Sequence, residues 1–314
     1  MKTLLPADLS ISDAQRLISS AIGPRPIALV STVSAGGIRN LAPFSFFNAF
    51  SGNPPVVIFS PSRKGRDGSL KDTYHNIKSS NECAIGIVTY DMVEQVSLAS
   101  SEYPPEVDEF IKSGLTPVDS EFINAPGIAE SPVWFECKVR QVIELAETPG
   151  SGNLVIADII AFHVDELMLN GPVIDPNGLR AIGRFGENYY VKAFGDALFR
   201  VDKPVGKGIG FDQLPDYMRN SHRYTGNHLG RFANVDKIPE KDQLRDWFST
   251  LRGETFDQSK FEQAEIDQNP AAMLKYAISA EPDKTEFLER TAIAFLETNQ
   301  FELAWRTAML IENF

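Results

Sequence analysis

The stretch from Arg25 to Asn76, RPIALVSTVSAGGIRNLAPFSFFNAFSGNPPVVIFSPSRKGRDGSLKDTYHN, constrains the fold more than any other part of this chain. Ile27–Val33 and Ile38–Phe44 are apolar segments bounded by Gly, Pro, Asn or Ser, which predicts two strands. Ser34-Ala35-Gly36-Gly37 between them predicts a hairpin turn, because glycine tolerates positive φ. Val56–Phe59 reads as a further, buried strand. Strands returned by turns this short pair antiparallel. Their close spacing favours an antiparallel, Greek-key-like barrel over a parallel doubly wound sheet.

The same pattern continues. Cys83–Val88 is a predicted strand, and Val133–Leu145 and Leu154–Val164 read as a long antiparallel pair joined through Thr148–Asn153. Peripheral helices are predicted over residues 11–21, Lys71–Ser79, Asp91–Ala99 with Asp91 as cap, and Val107–Ser113, which stops at Gly114. After about residue 235 the period changes. Asp242–Leu251, Ala271–Ile278 and Thr285–Asn313 carry helical spacing, with Ala271–Ala280 and Glu286–Asn299 forming a hairpin through Glu281-Pro282-Asp283. The predicted organisation is a barrel domain over 1–205, a connecting extension over 206–240 and an α-helical C-terminal extension over 241–314.

Composition excludes several classes. The net charge of −12 argues against general binding to nucleic acid or anionic membranes. No apolar run reaches the roughly 18 residues of a membrane span, and Pro6 and Asp8 interrupt the N-terminus before a secretory core forms. Cys83 and Cys137 lack CxxC spacing and read as reduced, buried thiols, which points to the cytoplasm. Gly206-Lys207-Gly208-Ile209-Gly210 lacks the third spacing of a GxGxxG dinucleotide fingerprint. His222 and His228 lack metal-ligand spacing, His75 reads as exposed rather than functional, and no Ser/His/Asp arrangement is legible.

Against that acidic background, Ser60–Ser69 is conspicuous. It carries hydroxyls at Ser60, Ser62 and Ser69, glycines at 65 and 68, and cations at Arg63, Lys64 and Arg66. Such a loop either lies solvated or holds a phosphate through backbone amides and cations. Lys71-Asp72-Thr73 opens the next helix, where unpaired N–H groups and the Thr73 hydroxyl favour an anion. Upstream, Ser45-Phe46-Phe47-Asn48 offers polar groups beside aromatic faces. A flat ring bearing a phosphate, such as flavin mononucleotide, suits the combination; core aromatics beside a polar loop is the plainer reading of each half. His163, at a strand end, reads as a histidine satisfied by the backbone or as one facing a ligand.

The ordered series RPIALVST at 25–32, NLAPFSFF at 40–47, Asn53-Pro54-Pro55, Lys71-Asp72-Thr73, Glu130-Ser131-Pro132 and Phe162-His163-Val164-Asp165 resembles the flavin reductase-like family of FMN-binding split barrels. The match covers roughly residues 10–200, and Gly208–Pro239 resembles an extension of some longer members. The resemblance implies a six-stranded split barrel that forms a homodimer and holds FMN near the subunit interface. It implies ring contacts from Ser45, Phe46, Phe47 and Asn48, and phosphate contacts from Ser60, Ser62, Arg63, Lys71 and Thr73. His163, Arg184 and Tyr189 would stand near the ring. The implied activity is hydride transfer from NADH or NADPH to flavin, with reduced flavin passed to a partner monooxygenase or another acceptor. No catalytic side chain is required, because the reactive atoms are the cofactor's. The rivals are a flavin-bound electron carrier that does not use nicotinamide, and a non-enzymatic interaction protein.

Overall fold

A computed structural model describes residues 1–201, 203 and 206–313, the side chains of residues 241–243 and 313 excepted. The hairpin between β1 (Ala28–Val33) and β2 (Arg39–Phe44) forms as the glycines predict. Gly37 takes φ +83° and donates its N–H to the Ser34 carbonyl at 2.9 Å. β3 (Phe47–Gly52), β4 (Pro55–Phe59), β5 (Glu82–Ile87), β6 (Val133–Glu144) and β7 (Asn153–Val164) complete one antiparallel sheet. Its order is β2-β1-β5-β6-β7-β4-β3. The implied six strands are therefore seven. Phe47–Gly52, read as a polar-aromatic cluster, is itself extended and pairs with β4.

That order explains the barrel and its split. β2 and β3 are joined only by Ser45-Phe46, yet they lie at opposite edges of the sheet order. The sheet must curl until its edges approach, and the chain crosses the seam at Ser45-Phe46. Two register shifts in the β6–β7 ladder, at Glu136/Cys137 and Val139/Gln141, supply bending of the kind bulges impose. Strand alternation sends Ala28, Val30, Val57, Phe59, Ile85 and Val155 into the barrel core. Cys83 and Cys137 face each other there, both free thiols with no exposure.

A second apolar cluster, including Leu29, Leu41, Met92, Val96 and Phe110, packs outside the barrel. It seats α3 (Val93–Ala99) and α4 (Glu109–Ser113); α1 (Ile11–Ala21) and α2 (Asp72–Ser80) belong to the same unit. The expectation for Asp91 is corrected: it does not cap α3, whose N-cap is Met92, and its carboxylate pairs with Arg180 at 3.1 Å. A short hairpin, β8 (Ile182–Arg184) with β9 (Tyr190–Lys192), follows the barrel.

The chain divides into two compact units, Met1–Phe199 and Arg200–Phe314; the boundary expected at residue 205 lies outside the described residues. The second unit is helical: α5 (Gly226–Ala233), α6 (Lys241–Thr250), α7 (Gln258–Ile266), α8 (Pro270–Ala277), α9 (Lys284–Glu297) and α10 (Phe301–Asn313). The predicted helix over 285–313 is two, because Asn299 takes φ +60° and turns the chain. α7 escaped sequence reading because only Phe261 and Ala264 of it are buried. Leu214, Met218, Leu229 and Phe232, from the stretch expected to be a connector, share one core with Phe261, Phe295 and Trp305. The Trp305 indole donates to the Phe232 carbonyl at 3.1 Å, satisfying a buried N–H.

Candidate functional site

The seam at Ser45-Phe46 opens into a cleft of about 690 Å³. Ser45, Phe46, Ser60, Ser62, Lys71 and Arg184, all expected at the site, line it. The other half of the expected set lies elsewhere, for identifiable reasons. Phe46 lies in the bend between β2 and β3 and lines the cleft, whereas Phe47 is the first residue of β3 and packs on the barrel core. Asn48 is exposed, and its side chain accepts the Ala49 N–H at 2.8 Å. Arg63 pairs with Glu144 at 2.8 Å and donates to the Gly68 carbonyl at 3.1 Å, so it pins its own loop to the end of β6. Tyr189 is exposed outside the cleft, which its neighbour Asn188 lines instead.

Thr73 belongs to a buried polar network. Its hydroxyl donates to Asn40 Oδ1 at 2.8 Å, and Asn40 in turn donates to Glu109 at 3.1 Å. Glu109 also accepts the Leu41 N–H at 3.1 Å, and burial pushes its carboxyl above the usual range. In this network the single proton of the hydroxyl expected at a phosphate is donated to Asn40.

His163 lies far from the cleft. Asn153, at the start of β7, bonds through its N–H to the Ser60 hydroxyl at 3.1 Å. His163 stands ten residues further along the same strand, on the order of 30 Å away at the usual rise. Its imidazole stacks on Trp134 with centroids 3.7 Å apart and bonds to Glu136 at 2.8 Å. Glu136 has no exposure and also accepts the N–H groups of Glu121 and Phe122 at 2.8 and 2.7 Å. Burial alone would raise its carboxyl, but these donors together hold it below the ordinary glutamate value.

Of the contributors to the cleft that were not foreseen, two matter most. α1 supplies Ser12, Gln15, Arg16 and Ser19. That i, i+3, i+4, i+7 spacing marks one polar face of a helix and was legible in the sequence. The other is Arg25, only 7% exposed. Its guanidinium donates to the Ser19 and Ile22 carbonyls, both at 2.5 Å, and to the Phe185 carbonyl at 3.2 Å. Its Nε lies 3.4 Å from the Ser45 hydroxyl, and its plane stands 5.6 Å from the Phe46 ring. One side chain thus ties α1, the segment after β8 and the seam together. Desolvation and the neighbouring Arg184 lower its pKa. Glycine makes this close packing possible: a Cβ at Gly23 would sit 2.7 Å from the Phe185 ring, and one at Gly183 2.7 Å from Pro24.

The electrostatics suit an anion. Lys71 is half-buried with no carboxylate within 4 Å among the described residues. Burial lowers its pKa, Glu102 acts the other way, and Lys64 adds to the lowering. An ammonium held there beside Ser60 and Ser62 gains from a phosphate that replaces its lost hydration. The residues fit a phosphate at this end of the cleft and a flat ring against Phe46 at the seam. Lys71→Ala is expected to weaken FMN binding by about 1.5–3 kcal/mol in a fluorescence titration, whereas Thr73→Ala leaves affinity within about twofold. Bound phosphate raises the Lys71 pKa, so binding takes up a proton above the free-state pKa. FMN affinity should therefore fall with rising pH, beginning below the range of an ordinary lysine, and Lys71→Ala should abolish that slope. A pH-independent wild-type affinity, or unchanged binding by the Lys71→Ala variant, would reject the assignment.

The flavin reductase like domain family matches residues 21–180 of the chain. An uncharacterized protein of Aquifex aeolicus is 38% identical over 187 residues, which is 59% of this chain and 93% of that protein. Among solved structures, nitrilotriacetate monooxygenase component B from Bacillus cereus aligns with a TM-score of 0.60 at 32% identity, covering 64% of this chain and 98% of that one. A protein of the flavin reductase type with a split barrel domain, from Shewanella frigidimarina, aligns with a TM-score of 0.54 at 25% identity, covering 63% and 95%. The family match ends before the helical unit that starts at Arg200.

Proposed function

The chain belongs to the flavin reductase-like domain family, and from that premise we propose that it is an FMN-binding oxidoreductase drawing hydride from NADH or NADPH. The observation that carries this reading is the seam cleft, where an aromatic face, the Ser45, Ser60 and Ser62 hydroxyls and a half-buried lysine with no carboxylate partner among the described residues line one volume. A volume of this size falls within the usual range of cofactor sites. When bound, FMN supplies the two-electron acceptor for hydride from a reduced nicotinamide. Lys71, Ser60 and Ser62 hold the phosphate, Ser45 serves the polar ring edge, and Phe46 offers an apolar face. Arg25 keeps the last two in place. The protein's share of the chemistry is binding and orientation.

We take the working form to be a cytoplasmic homodimer. Ile160 and Phe162 alternate outward from β7, and Phe50 is exposed on β3, leaving apolar side chains uncovered on the sheet. Such faces are characteristic of subunit contacts. Since His163 lies along β7 away from the cleft of its own chain, it serves a flavin only across such a dimer. The likeness to a monooxygenase component B makes a partner oxygenase the first acceptor to test.

Steady-state oxidation of NADH or NADPH with added FMN is the deciding assay, run on material whose mass in solution is measured by light scattering. Turnover by a dimer is expected. Tight FMN binding without turnover on either donor would favour the electron-carrier alternative, no FMN binding would leave an interaction protein, and a mass near 34.8 kDa would refute the dimer.

A further inference from the structure

We propose that a groove adjoining the seam cleft, walled by Tyr90, Tyr190 and Lys192 and entered past Arg184, binds an adenosine phosphate. This rests on the reductase reading: the ligand is the half of a nicotinamide donor that carries no redox chemistry. The groove encloses about 480 Å³. Arg184 and Asn188 line both it and the seam cleft, and a smaller pocket of about 170 Å³ shared by Ser45, Arg184 and Tyr190 lies between them. One ligand can therefore run from the seam into the groove.

The β8–β9 hairpin builds the groove by simple alternation. Ile182 pairs with Lys192 and Arg184 with Tyr190, so these four side chains share one face of the ladder. Aromatic rings and cations are interleaved there. The Arg184 guanidinium stands 4.6 Å from the centre of the Tyr190 ring, and Lys192 Nζ 4.4 Å from that of Tyr90. Arg180 also lies over Tyr90, at 5.5 Å, and with these cations in place Tyr90 and Tyr190 remain 42% and 40% exposed, so part of each ring stays open to a second aromatic. Lys192 has no carboxylate within 4 Å among the described residues, and Arg184 donates to the backbone carbonyl of Glu187. The groove lining carries these two cations against one acid, Glu94.

Flat rings with a polar edge satisfy a purine, and two cations spaced along the same face satisfy phosphate oxygens. Arg184, at the junction, is suited to a pyrophosphate because its planar fork can donate two bonds at once. Lys192, further along, meets a terminal or ribose phosphate as a point charge. Ser97 and Ser100 add hydroxyls for the sugar.

Calorimetric titration of the full-length protein with ADP and with 2′,5′-ADP tests the proposal without turnover. Binding of at least one probe is expected, and the tighter of the two identifies an NADH-type or NADPH-type donor. Lys192→Ala and Tyr190→Ala should each weaken that binding at least fivefold while FMN affinity stays within twofold, and Lys192→Arg should largely restore it. Failure of both probes to bind at millimolar concentration, or wild-type affinity in both folded Ala variants, would overturn it. Adenosine-phosphate binding by a protein that oxidises neither dinucleotide would uphold the groove while removing the reductase reading.

Discussion

Replacing Glu136 with alanine is expected to destabilise the barrel unit by about 3–5 kcal/mol, the range for removing one partner from a buried charged network. The carboxylate has no exposure and accepts from two backbone N–H groups and from His163. Its loss leaves those two N–H groups without their acceptor, each costing about 1–3 kcal/mol. His163→Ala removes one of the three donors and should cost about 1 kcal/mol. Glu136→Gln separates charge from size, because an amide oxygen cannot accept all three donors. The sign with pH follows from the lowered folded-state pKa. The contribution is present above the unfolded carboxylate value and is lost as pH falls through the lower folded value. Guanidinium melts of the three variants at pH 7 and pH 4 provide the measurement. A Glu136→Ala midpoint equal to wild type, or an acid slope unchanged in Glu136→Gln, would show that the network contributes little.

Replacing Arg25 with alanine should lower FMN affinity by at least tenfold and expose α1 to protease. The guanidinium bonds three carbonyls on two separate segments and lies against Ser45 and Phe46. Charge-assisted bonds of this kind contribute about 1.5–3 kcal/mol each before non-additivity. Without them, α1 is poorly anchored, since none of its residues is buried. Arg25→Lys should rescue little, because a single ammonium cannot reproduce a planar fork that serves several acceptors. Limited trypsin digestion reports cleavage at Arg16, and flavin fluorescence reports affinity. Wild-type affinity together with wild-type resistance in Arg25→Ala would show that the cleft walls hold without this residue.

The residues that were legible and those that were not divide along physical lines. Strands bounded by turn residues, the Gly36-Gly37 hairpin and the Lys71 helix start depend on local conformational preference, so they could be read directly. Phe46 could be placed beside a ligand, but Phe47 could not be separated from it until the structure put Phe46 in the bend between β2 and β3 and Phe47 against the core at the start of β3. Arg63 and Thr73 had the right chemistry for a phosphate. Distant partners, Glu144 for the first and Asn40 for the second, engage them in other bonds. Arg25 showed only as the first residue of the RPIALVST motif, with no role attached to it. Its role depends on α1 and on Phe185, whose carbonyl lies 160 positions away in the chain.

Local preference therefore determined the antiparallel sheet, the peripheral helices, the change to helical character after the barrel and the chemical taste of the Ser45–Thr73 region for a flat ring and an anion. Only the tertiary structure decided which half of the expected residues share a cleft, that β2 and β3 sit at opposite sheet edges, and that Arg184 joins two grooves. The reason is that strand alternation and helical spacing act over a few residues, whereas a cleft is set by where the curled sheet brings its edges together. A hydrogen-bonding side chain goes to the partner that this closure places nearest.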